Sequence, residues 1–258
     1  MRPFQAIKRH GLVGASKLAV MHIRRPVNLA VSKALKLKAV RSEYGIWMRA
    51  NWGDTTFNYC VRGSYGRFLS DLLLSQRSKF VFLDIGANQG LYALVAAKNR
   101  YCVRAVAFEP VVSTFQLLKD NIGLNRATRV IACNFGISSS NETLQISVSA
   151  AHSGAASIHH KSDDSSYQQI EVRTGDAISE HIIEALPIIV KVDTEGHEVL
   201  VIEQLMASSF VADIQAVFYE VDESWVNPAD IEGALRAQGF SNFKKVRSGA
   251  HYDVLATR

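Results

Sequence analysis

From Phe80 onward, apolar runs of strand length alternate with segments of helical length, whereas the first forty residues mix apolar and basic positions with no acid among them. The runs Phe80–Ile85, Val103–Glu109, Arg129–Phe135, Ile188–Asp193, Ala216–Glu220, Asn242–Val246 and Tyr252–Thr257 predict strands. Leu91–Asn99, Ser113–Leu124, Ala177–Ala185, Glu198–Ala207 and Pro228–Gln238 predict helices. Strands that read as continuous apolar runs, separated by helices, imply a mostly parallel sheet covered on both faces, an α/β fold. The last two strands break that rule: about five residues join them, too few for a crossover helix, so one should run antiparallel to the rest. Two segments lie outside the alternation. Trp47 to Tyr65 has strand-like aromatics broken by Gly53 and Gly63, which predicts a short hairpin or irregular cap over one edge. Residues 140–175, rich in Ser, His and Asp, read as an inserted ribbon and loop near the ligand end of the sheet, with alternation in Thr143–Val148.

Charge divides the chain. Residues 1–41 hold ten Lys or Arg and no Asp or Glu, while the remainder holds 19 basic against 24 acidic residues. Leu18, Met21, Ile23, Val27, Leu29, Val31, Leu35 and Leu37 alternate with the basic residues, which predicts one or two amphipathic helices with Pro26 opening the second. Lys17, Arg24 and Arg25 interrupt any secretory core, and no window of about 18 apolar residues spans a bilayer. The arm can lie on an anionic membrane surface, touch a polyanion, or pack as a solvated helix on the domain or a second subunit. Cys60, Cys102 and Cys133 are scattered and odd in number, which favours buried thiols in a reducing cytoplasm over a disulfide framework or zinc site. The expected location is cytoplasmic, with contact at the inner membrane surface through the arm. The organisation is thus an arm at 1–41, a cap at 42–79 and a main domain at 80–258.

The chemistry concentrates at strand ends. Asp84 closes the first strand, and Gly86 and Gly90 permit a sharp turn with close backbone approach before a helix. Glu109 ends the second strand 23 residues after Gly86, where an acid can accept both hydroxyl protons of a ribose. The turn is not the dinucleotide fingerprint: Asn88 stands where its second glycine belongs, so an uncharged or cationic nucleoside suits the turn better than a pyrophosphate.

Taken in order, Asp84-Ile-Gly-Ala-Asn-Gln-Gly90, Phe108-Glu-Pro110, Asn134-Phe-Gly-Ile-Ser138, Gly154-Ala-Ala-Ser-Ile158 and Lys191-Val-Asp-Thr-Glu-Gly-His-Glu198 resemble the FkbM-type family of S-adenosylmethionine-dependent methyltransferases. The resemblance runs from Phe80 to Val246. It implies a Rossmann-like seven-stranded sheet in the order 3-2-1-4-5-7-6 with strand 7 antiparallel, and S-adenosyl-L-methionine as cofactor. It places Asp84, Gly86, Ala87, Asn88 and Gly90 at the methionine side of that cofactor and Glu109, followed by Pro110, at the ribose. Phe135 and Gly136 would border the adenine or ribose. Asp193 and Glu195 would border the cofactor or position an acceptor hydroxyl. Asp193, Glu195 and Glu198 are oxygen ligands of the kind magnesium takes, but Glu198 also starts a helix, where a carboxylate favours the dipole, and no metal is assigned.

Methyl transfer from a sulfonium needs alignment and, for an alcohol acceptor, a base. His152, His197 and Asp193 are the candidates; His159 and His160 read as loop-surface residues. The expected activity is O-methylation of a hydroxyl on a sugar, glycan or small natural product. Three other readings compete. A nicotinamide-dependent dehydrogenase conflicts with Asn88 and the C-terminal hairpin. A membrane- or polyanion-docked binding protein with an inactive fold conflicts with the joint presence of Asp84, Asn88, Glu109 and Asp193. A nucleic-acid methyltransferase draws on the basic arm but lacks an Asn-Pro-Pro-Tyr-like tetrad.

Overall fold

The structure, a computed structural model, describes residues 29–149, 151–157, 165–182, 185–246 and 248–258. The chain divides into two units, Met1–Val40 and Arg41–Arg258. Within the first, residues 29–34 are helical; the rest of the predicted arm helices, with Pro26, lies outside the described residues, as do Ile158, His159 and His160.

The second unit runs α1 (Thr55–Arg62), α2 (Phe68–Ser75), β1 (Phe80–Ile85), α3 (Leu91–Lys98), β2 (Cys102–Phe108), α4 (Val112–Asn125) and β3 (Val130–Cys133). A group of strands follows: β4 (Gly136–Ile137), β5 (Glu142–Ser149), β6 (His152–Ser157) and β7 (Ser165–Arg173). Then come α5 (Asp176–Ser179), β8 (Ile188–Val192), α6 (Glu198–Met206), β9 (Ile214–Asp222), α7 (Pro228–Ala237), β10 (Asn242–Lys245) and β11 (His251–Thr257). Among the described residues, seven strands form the main sheet in the order β10-β11-β9-β8-β1-β2-β3. Counting these seven in chain order, that is 3-2-1-4-5-7-6, and β11 is antiparallel to both of its neighbours while the other pairings are parallel.

Continuous apolar runs in β1 and β8 follow from their central position, since every residue of both is buried. Leu83, Val106, Val190 and Val217 of the sheet join Ile202 and Leu205 of α6 and Ile231 and Leu235 of α7 in one core. Each such side chain contributes about 1.5–3 kcal/mol by leaving water. The inserted ribbon forms a second, four-stranded sheet in the order β4-β7-β5-β6, whose Ile146, Val148, Ile170 and Val172 pack with Val111.

Two expectations need correction. Trp47 to Tyr65 is no hairpin, because Thr55–Arg62 is helical: Asp54 caps it by accepting the Thr56 and Phe57 amides, Gly63 closes it in the left-handed region, and Thr56, Phe57, Cys60 and Val61 form one buried stripe. Trp47–Arg49 remains extended, tied through its backbone to Asn125 and Asn121. The helix predicted at Ala177–Ala185 is the single turn Asp176–Ser179 among the described residues.

Gly86 sits where β1 leaves the sheet, at φ +74°, and its amide and that of Ala87 both donate to Phe108 O. A Cβ there would lie 1.8 Å from the carbonyl oxygen of Asp193. Gly86→Ala therefore has to push two strand ends apart. A loss of roughly 2 kcal/mol or more is expected, read as a lower melting temperature by circular dichroism; an unchanged melt would contradict this close approach.

Candidate active site

A cleft of about 1070 Å³, counting its open mouth, lies at the carboxyl ends of β1, β2, β8 and β9 and is walled by β4–β7 and α1. Open parallel sheets bind ligands at this end. Of the residues singled out from the sequence, Gly86, Ala87, Asn88, Glu109, Pro110, Gly136, Asp193, Glu195 and His197 line it together.

Glu109 is buried, and its two carboxylate oxygens accept one amide each, Asn88 N–H on Oε2 and Val111 N–H on Oε1, both at 2.9 Å. Each oxygen keeps a lone pair. Burial pushes this carboxyl up to about 7, against the pull of those two amides. Asn88 adopts φ +49°, and its Oδ1 accepts the Gln89 amide.

Lys191 is the centre of the opposite wall. Register pairs it with Asp84, and its ammonium donates to Gly86 O at 2.6 Å while lying 3.1 Å from Asp193 Oδ2 and 3.6 Å from Asp84 Oδ1. Burial pushes the ammonium down, but Asp193 and Asp84 outweigh it and hold it above its usual value. Asp193, Glu195 and Glu220 bring carboxylate oxygens within 4.8 Å of one another. Burial, then the neighbouring acids, raises Glu195 to about 8 and Glu220 well above the carboxylate range. Their spacing would admit a divalent cation, yet the Lys191 ammonium already neutralises Asp193, and we assign no metal. Glu198, the third acid weighed from sequence, is turned into its own loop, where it accepts from Thr194 N–H, Thr194 Oγ1 and Gly196 N–H.

Of the other expected residues, Asp84, Gly90, Phe135 and His152 do not line the cleft. Asp84 is 1 % exposed beneath the turn, with Oδ2 accepting Ala93 N–H at 2.9 Å, and it serves the start of α3 and Lys191. Gly90 starts α3 at φ +84°, against Leu118. Phe135 packs edge-on to Phe108, 5.5 Å between centroids, with the Arg173 guanidinium 4.3 Å from its own. His152 sits beside Tyr59, 6.4 Å between rings. His197 reaches the cleft, with Nε2 3.1 Å from Ser138 Oγ. Cys60, Cys102 and Cys133 are buried and free.

Sequence reasoning assigned no role to Lys191, Asp54, Gln89, Tyr65, Ser153 or Glu220. Asp54, fully buried, accepts Ser153 N–H at 2.8 Å on Oδ1 and the Gln89 side-chain amide on Oδ2 besides capping α1. Ser153 Oγ lies 3.0 Å from Asp54 and 3.1 Å from Asn88 Oδ1, and Gly154 N–H donates to Thr56 Oγ1 at 2.8 Å. Glu220 carries a local signal, an acid ending a buried strand, which Asp84 and Glu109 share.

The sheet order and the cleft define a Rossmann-like fold with a nucleoside-sized site. Its likeness to the METTL16 MTase domain shows the fold: TM-score 0.50, 15% identity, 83% of this chain and 74% of that one. The Methyltransferase FkbM domain matches residues 84–241, and the chain belongs to that family. A curated relative, the hexuronic acid methyltransferase AglP of Haloferax volcanii, is 30% identical over 155 residues, which is 60% of this chain. The match spans 61% of that relative's length. Membership indicates S-adenosylmethionine as the cofactor. The cleft fits it: a buried carboxylate with spare lone pairs suits a ribose, an apolar wall of Val111, Ile137, Ile146 and Val172 suits a base, and an acid-rich end suits a cation.

The raised carboxyls set a pH dependence. Glu109 and Glu195 keep their protons in the fold well above the usual 4.5, so between that value and about 8 the folded chain binds more protons than the unfolded one. Stability must then fall as pH rises. The ligand-free protein should melt at lower temperature at pH 9 than at pH 7, and Glu195→Gln should shrink the difference; a rise in melting temperature over this interval would refute the assignment.

Proposed function

We propose that the chain is an S-adenosylmethionine-dependent O-methyltransferase whose acceptor is a hydroxyl of a sugar or glycan, with a hexuronic acid-bearing sugar the first to test. The observation that carries the reading is Glu109, buried at the cleft, its oxygens anchored by two amides with lone pairs to spare. A relative that acts on hexuronic acid supports the acceptor class.

In this reading Glu109 holds the ribose hydroxyls, and Pro110, Val111, Gly136 and Val172 flank the base. The turn Gly86–Asn88 meets the methionine end, and Asp193 and Glu195 favour positive charge there. The cofactor, when bound, supplies a methyl group on a sulfonium that departs as a neutral thioether. The chain's own task is to orient the acceptor oxygen, exclude water and take one proton. The second sheet and α1, with Thr56, Tyr65 and Ser153 on the cleft, form the acceptor wall.

Residues 1–41, with ten basic and no acidic side chains, make an arm for peripheral contact with an anionic membrane or polyanion in this proposal, residues 42–79 a cap and 80–258 the catalytic domain. Among the described residues, no helix is long and apolar enough to cross a membrane.

Titration calorimetry with S-adenosylhomocysteine and with NAD tests the cofactor. Binding of the former is expected, and Glu109→Gln should weaken it roughly 10- to 100-fold, as for lost hydrogen bonds to a charged group. NAD binding without S-adenosylhomocysteine binding would overturn the reading. Transfer of labelled methyl to glucuronate-bearing and neutral glycosides then tests the acceptor.

A further inference from the structure

The acceptor's proton needs a way out of a filled cleft, and the structure contains one. Asp193 lines the cleft, where a bound cofactor and acceptor would cover it. His197, the cleft histidine, has Nε2 directed to Ser138, and His152 stands beside Tyr59. Beyond Asp193, however, side chains continue through the wall. Glu220 lines the cleft with a carboxylate oxygen within 4.8 Å of one on Asp193, and Glu220 Oε1 lies 2.6 Å from His251 Nε2. His251, at the start of β11, has a side chain 58% exposed to solvent. Antiparallel pairing of β9 and β11 places Glu220 opposite Asp253 and Asp222 opposite His251, so the contact crosses between these two strands.

We infer that Asp193 takes the acceptor's proton and that Glu220 and His251 form a relay delivering it to solvent. This rests on the O-methyltransferase reading. Three transfers move one proton: acceptor oxygen to Asp193, Asp193 to the nearer oxygen of Glu220, and Glu220 Oε1 to His251 Nε2, with His251 in the tautomer protonated at Nδ1. The acceptor O–H bond breaks, and its electron pair goes into the new oxygen–carbon bond to the sulfonium's methyl group. The pair of the broken carbon–sulfur bond leaves with the thioether. His251 then loses the proton to water, and each relay group returns to its starting form.

Charged groups surround the relay on several sides. Glu220 faces Asp193, Glu195 and Glu198 from the β8–α6 segment, Lys191 from β8 and His251 from β11, while Asp222 lies near His251. Burial and the three acids raise the Glu220 carboxyl, so Glu220 carries a proton of its own at rest, and one arriving on Asp193 passes to it as Glu220 gives that first proton to His251.

Two measurements separate this relay from the reading beneath it. In the apo-protein the infrared spectrum at neutral pH should show protonated-carboxyl absorption, shared with Glu109 and Glu195, with a component that Glu220→Gln removes and His251→Ala shifts; no difference between wild type and Glu220→Gln would overturn the relay whatever the acceptor. With an acceptor in hand, His251→Ala should lower kcat roughly tenfold at low buffer, leave KM and S-adenosylhomocysteine affinity unchanged, and regain rate on adding imidazole. Wild-type kcat in that variant, or a loss that imidazole does not restore, would overturn it. Absence of methyl transfer in wild type with the band intact would instead strike the acceptor assignment.

Discussion

A buried ammonium fastens the cofactor turn to the strand that carries the acids. Lys191, 4% exposed, bonds Gly86 O and neutralises Asp193 and Asp84 at once. An unpaired ammonium in such a place would cost several kcal/mol, so the three partners and the lysine stand or fall together. The register of β8 on β1 brings Lys191 beside Asp84, and the absence of a Cβ at Gly86 lets the two strand ends close to contact. Packing and charge thereby set a single geometry: an apolar core aligns the strands, the lysine locks their ends, and the turn Gly86–Gln89 lines the cleft.

The same lysine divides the acids into two populations. Asp84 lies behind it and supports α3; Asp193, Glu195 and Glu220 lie in front, where their number exceeds the charge that one ammonium can balance. Burial first, and then this excess of acids, raises the Glu195 and Glu220 carboxyls, so both hold protons. A cationic cofactor relieves it differently, by supplying positive charge. In the proposed site, binding and proton release are therefore coupled at this end of the cleft, whereas at the other end Glu109 would face a neutral ribose.

Much of this was legible in the sequence because it depends on local pattern. Buried parallel strands read as unbroken apolar runs, so all seven main strands were located to within a residue or two, and the short joint between β10 and β11 gave the antiparallel pair. Glu109 and the Gly86–Asn88 turn were visible as strand-end chemistry. What escaped depends on contacts far apart in sequence. The aromatics of Trp47 to Tyr65 suggested strands, yet Asp54 and Gly63 cap a helix there, a signal outweighed by the β propensity of Trp47, Tyr59 and Tyr65. Asp84 looked like a ligand residue because it ends a strand at a turn; only the register with Lys191 shows that its carboxylate is consumed by the protein.

Asp54 shows why the acceptor wall could not be read locally and what joins it to the cofactor. Its two oxygens gather the first amides of α1, the Gln89 side chain from the turn, and Ser153 from β6, three segments separated by 35 and 64 residues. A buried carboxylate with that many donors cannot release one segment without leaving the others short of their partner. Movement of the wall is therefore resisted by the turn that meets the methionine end in the proposed site, and movement of the turn by the wall. The part of the fold that would select the acceptor is thus held to the part that would position the methyl donor by one side chain that touches neither ligand's reacting atoms. In the proposed site such a link lets the insertion shape the acceptor pocket while the turn keeps its geometry, because the insertion is anchored at Ser153.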